Sequence, residues 1–132
     1  MGNLLHNSTE ILLLLFLIIT FLQSGIDKIF DWTGNLSWLK GHFENTPLQS
    51  LVPLLLGIVL ISEVLAGALC SIGIYQLVVL EDKTIALLGA IMSCIALLML
   101  LFGQRMAKDY EGAKTIAVYF IPAIFLVFLL QS

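Results

Sequence analysis

Four long apolar runs, separated by short polar stretches, set the pattern of this chain. The first, from Ile11 to about Phe30, holds no charged residue before Asp27. Its roughly 20 residues make about 30 Å of helix, one hydrocarbon thickness. Asn7, Ser8 and Thr9 stand where helix caps are wanted, and Glu10 falls in a first turn that favours acids. The second run starts near Leu51, with Pro53 suited to a first helical turn, and continues to Leu80. At about 1.5 Å per residue it exceeds a bilayer, so it should tilt or protrude. Glu81-Asp82-Lys83 reads as a tight turn, Thr84 to Phe102 as the third span, and Lys114 to Leu130 as a fourth that Pro122 should kink. The predicted helices cover residues 10–30, 51–80, 84–103 and 114–130.

The first loop has a pattern of its own. Leu36, Leu39 and Phe43 recur at helical spacing beside Trp38, with polar residues between them. That predicts a short helix over residues 35–44, lying in the membrane interface or folded back over the bundle. Trp32 and Trp38 would sit at headgroup depth, and Asn45-Thr46-Pro47 would end the segment.

Composition agrees with the runs. Of 132 residues, 60% are apolar and 11% charged, against about 25% charged in a soluble domain. The expectation is one domain, residues 1–132: an all-α membrane protein, a four-transmembrane-helix bundle with a short interfacial helix in its first loop. A net charge of −3 without a basic stripe argues against nucleic acid. Met1 to Glu10 holds no Lys or Arg and no small-residue cleavage pattern follows Leu22, so the first run reads as a retained helix. The first and third loops carry Lys28, Lys40, Arg105, Lys108 and Lys114, and the remaining polar segments only Lys83. The positive-inside rule then puts both termini outside, in a multi-pass topology.

Alternating spans bring three polar clusters to one side: Gln23 with Asp27 and Lys28, Glu63, and Gln104 with Arg105. Glu63 is the sharpest signal, because an intramembrane carboxylate is costly unless paired or protonated. From the Asp82 turn it lies about 28 Å along the helix, and Asp27 reaches a similar level from Glu10. A Glu63–Lys28 or Glu63–Arg105 pair is expected, with Gln23 and Gln104 as hydrogen-bonding neighbours. Such a pair either fixes helix order or holds the polar head of a ligand, with Trp32, Trp38 and His42 forming an interfacial lid. Tyr110 reads as an interfacial anchor within reach of the cluster. Small residues around Glu63, including Ser62, Ala66, Gly67 and Ser71, permit close helix packing.

Other chemistry finds little support. Cys70 and Cys94 stand at equal distances from Asp82, hence at one depth, yet without a C-x-x-C they read as small apolar fillers, against thiol redox. His6 and His42 are isolated, so no metal or haem site is expected. No nucleophilic triad and no phosphate loop is present, and no catalytic residue is assigned.

Ser24-Gly25-Ile26-Asp27-Lys28-Ile29-Phe30, the lone Glu63 followed by Gly67, and the four-span layout together resemble the DoxX family of small bacterial membrane proteins. The resemblance runs over essentially the whole chain and matches at Gly25, Lys28 and Glu63; the Arg that many relatives carry before the first helix is missing. It implies a four-helix bundle in the bacterial inner membrane, linked to respiratory and redox complexes. The leading expectation is therefore a non-catalytic accessory subunit of a larger inner-membrane complex, with other membrane subunits and lipid as partners and no cofactor of its own. The alternative is a quinone- or lipid-binding protein that uses the polar cluster around Glu63.

Overall fold

A computed structural model describes residues 5–131 of the chain. Among the described residues five α-helices of eight or more residues follow one another: α1 (Ser8–Phe30), α2 (Trp32–His42), α3 (Val52–Tyr75), α4 (Thr84–Met106) and α5 (Tyr110–Gln131). Four of them, α3 together with its flanking turns, are long and apolar enough to cross a bilayer. The molecule is thus a helical multi-pass membrane bundle, with α2 as the short helix after the first span. Helix α1 packs chiefly on α3, α3 on α4 and α4 on α5, while α5 closes on α1 along a thinner seam.

Local chemistry sets the boundaries. Pro53 lies in the first turn of α3, where its missing N–H costs nothing. At its far end α3 widens into a π-helical turn, Gln76–Leu80. Glu81 there turns left-handed (φ 55°), and the Asp82 N–H returns to the Gln76 carbonyl at 3.1 Å. The Asp82 carboxylate accepts the Thr84 N–H at 3.0 Å and starts α4. The Thr84 N–H, and then its hydroxyl, hold the Asp82 carboxyl below its ordinary range.

The third loop is shorter than the pattern of charges suggests: α4 runs on to Met106 and α5 begins at Tyr110. Two backbone bonds make this sharp stop. The Asp109 N–H reaches the Gln104 carbonyl (2.9 Å) and the Lys108 N–H reaches that of Arg105 (3.1 Å). Lys108 is left-handed (φ 61°), so a lysine fills the place a glycine usually takes in this motif. Asp109 then caps α5 by accepting the Gly112 N–H at 2.9 Å. Arg105, Glu111 and Lys114 ride on exposed helical faces, which is why their charge does not break the helices. At the start of α1 the expected capping is not made. Asn7 occupies the cap position, but its side chain makes no capping bond and is buried. Helix α5 runs through Pro122 without interruption.

The core mixes large side chains, mostly leucine, with alanine and cysteine. Ile11, Leu14, Leu17 and Phe21 form one buried stripe of α1, meeting Ala66 and Cys70 of α3, Ala86, Ala90 and Leu97 of α4, and Ala123 and Leu126 of α5. Helices α3 and α4 approach closest at Gly73 and Gly89. A methyl group on Gly73 would stand 2.5 Å from the Ala86 Cα, and one on Gly89 would stand 2.8 Å from the Cys70 N. Lipid supplies no hydrophobic drive between helices, so such close contact is what holds them. Cys70 and Cys94 are both buried and unlinked, and Cys70 lies 3.9 Å from the Ser93 hydroxyl, one residue from Cys94.

Candidate functional site

Glu63 is fully buried, and Lys28 is its charge partner. The ammonium stands 3.0 Å from Oε1 and donates a 3.4 Å hydrogen bond to Oε2. A second donation, at 2.6 Å, goes to Ser24 Oγ one turn back along α1. Helical geometry places Ser24 and Lys28 on one face, and Gly25 lets that face come close to Val64 of α3. The paired charges partly offset each other's desolvation, which is the condition for an intramembrane carboxylate.

The two helices meet out of step. Lys28 lies in the last turn of α1, whereas Glu63 lies about 16 Å beyond the start of α3 at about 1.5 Å per residue. The early turns of α3 and the late turns of α4 thus extend past the end of α1. The space beside them is covered by α2, none of whose residues is buried, and by the chain that follows it. Beneath this cover lies a cavity of about 570 Å³. Lys28, Asn35 and Gln104 supply its polar groups, Trp38 and Phe43 its roof, and apolar residues such as Val59 and Met99 most of its wall.

One contact ties the cover down. His42 Nε2 lies 3.1 Å from Gln104 Oε1 and 3.6 Å from Asp109 Oδ2. Trp38 stacks on the His42 ring with centroids 4.6 Å apart, and Phe43 meets it edge-on. The end of α2 is thereby pinned to the corner between α4 and α5.

Of the residues singled out from sequence, Lys28 and Glu63 come together, and Trp38, His42 and Gln104 form the cover and its anchor. Arg105 does not join Glu63; it is exposed and lies over the Tyr110 ring at 5.1 Å. Tyr110 therefore serves that cation and does not reach the cluster. Gln23 and Asp27 are exposed, and the part of Asp27 that is used is its backbone carbonyl, which receives the Asp31 N–H. Trp32 opens α2 outside the cavity lining. Ser24, Asn35 and Asp109 take part without having been singled out as site residues. For Ser24 the signal was present, four residues before Lys28 on a helix. For Asn35 and Asp109 it was absent, because the corners between α1 and α2 and between α4 and α5 decide their contacts. Among the described residues no group of three or more His, Cys, Asp or Glu side chains gathers as a metal would require. Comparison with protein-family models, curated proteins and solved structures returned no match to the chain.

Proposed function

We propose that this protein binds an amphipathic lipid or quinone in the cavity under α2, the polar head toward Lys28, Asn35 and Gln104 and the tail along α3 and α4. The observation that supports this most is the cavity itself: about 570 Å³, mostly apolar, with Lys28, Asn35 and Gln104 among its lining residues. Ligand sites commonly measure about 300–1,000 Å³ and have this character. Lysine has three N–H donors; two point at Ser24 and Glu63, which leaves one for a head group bearing a carbonyl or phosphate oxygen. Glu63 balances the ammonium, so the head need carry no charge.

The resemblance to the DoxX family supports a bacterial inner-membrane location. With Lys28 engaged by Glu63 and Arg105 exposed, Lys40, Arg105, Lys108 and Lys114 still outnumber Lys83, which favours the covered end facing the cytoplasm.

Gentle detergent extraction followed by mass spectrometry of co-purifying lipid and protein tests the proposal. One lipid or quinone species should be retained near equal stoichiometry and lost in Val59→Trp, which fills the cavity. Unselective lipid, equally retained by the variant, overturns it. A stoichiometric protein partner without lipid would instead establish the accessory-subunit role.

A further inference from the structure

The two members of the Lys28–Glu63 pair line different spaces. Lys28 lines the cavity already described, whereas Glu63 lines a smaller one of about 220 Å³ with residues of α1, α4 and α5. Phe21, Leu97, Leu100 and Ile116 give it apolar walls, and Thr20, Ser24 and Tyr119 add hydroxyls. Glu63 Oε1 accepts no hydrogen bond there, although the residue is completely buried. The ammonium is close at 3.0 Å, but its hydrogen bond goes to Oε2. A buried carboxylate oxygen that accepts no hydrogen bond, on a residue that lines a cavity, is a place for a donor.

We infer that this smaller cavity is a separate binding site for a neutral, ring-sized ligand whose hydroxyl donates to Glu63 Oε1. Size sets the first limit: a cavity of about 150 Å³ holds benzene, so about 220 Å³ takes one ring with small substituents. Charge sets the second. Lys28 already balances Glu63, and a further ion among Phe21, Leu97 and Ile116 would be uncompensated in a low-dielectric setting. The route in is lateral. Helices α1 and α5 meet along a thinner seam than α1 with α3, α3 with α4 or α4 with α5, and Tyr119, partly exposed and tilted against Phe16 at 6.1 Å, stands at it. A neutral hydroxylated ring dissolved in the lipid can enter there without crossing the covered end.

The test is fluorine NMR on the purified full chain in detergent, with 4-fluorophenol as probe and fluorobenzene as its match lacking the hydroxyl. Saturable binding of 4-fluorophenol, at least about tenfold tighter than fluorobenzene, is expected from a hydrogen bond to a charged acceptor. Ile116→Phe, which fills the cavity from its half-buried edge, should abolish that binding, and Thr20→Leu serves if the first variant does not fold. Equal affinity for the two probes, no saturable binding of either, or binding that survives the filled cavity overturns the inference. Lipid retention under α2 is read separately, since Ile116 does not line that space, and it should be unchanged in Ile116→Phe.

Discussion

Glu63 shows how one residue can order a bundle. In lipid, its side chain is tolerable because Lys28 reaches it at 3.0 Å and Ser24 steadies the ammonium at 2.6 Å. Removing one member leaves the other buried and unpaired, which costs far more than the net worth of the pair. Lys28→Met should therefore destabilise the protein by about 3–5 kcal/mol, read as a shifted midpoint in detergent-titration unfolding. Combining it with Glu63→Gln should recover most of that loss, since no uncompensated charge remains. Additive losses in the double variant would show that the two side chains are not coupled. A charged residue in the second apolar run was legible from sequence, as was the need for a partner. The choice of Lys28 over Arg105 was not: three residues beyond Phe102 decide whether Arg105 points inward, and α4 carries it to an exposed face over Tyr110.

Helices α3 and α4 hold together by closeness. Their small residues, Gly73 and Cys70 against Ala86 and Gly89, leave no room for an added methyl. Gly73→Ala should cost about 1–3 kcal/mol through forced separation of two backbones. Gly57 is the control on the same helix, with nothing within 4 Å of an added Cβ. There an alanine relieves backbone entropy, and Gly57→Ala should be neutral or stabilising by up to about 1 kcal/mol. Thermal unfolding of the two variants side by side checks this; equal losses would mean that the glycines matter for helix propensity and not for contact. Small residues were visible from Gly57 to Gly73, yet the sequence did not say that Gly73 would be the one set against the Ala86 backbone. Spacing alone does not say which face a neighbour takes.

The covered cavity is a property of the whole molecule. It arises because α3 and α4 outreach α1, and because α2 folds across the difference and is fastened by His42 to Gln104 and Asp109. Helix α2 buries none of its residues, so few apolar contacts oppose its opening and the fastening governs it. His42→Ala should loosen the cover: Trp38 fluorescence becomes more accessible to an aqueous quencher, and lipid retention falls several-fold while helix content is kept. Unchanged quenching and retention would show that α2 is held by something other than His42.

Four spans, the turn at Asp82 and the short helix after the first span follow from hydrophobic run length and turn chemistry, which act locally and are written residue by residue. The same local information marked Glu63 as a buried acid and Trp38 and His42 as part of a surface-lying segment. Three outcomes needed the chain to fold: the partner of Glu63, the residues of the cover that touch α4 and α5, and the two cavities that Lys28 and Glu63 line. Each depends on the relative offset of helices distant in sequence. That offset is set by packing of small residues across α3 and α4 and by the left-handed corner at Lys108; the first leaves a helical spacing without naming its partner face, and the second leaves no periodic trace.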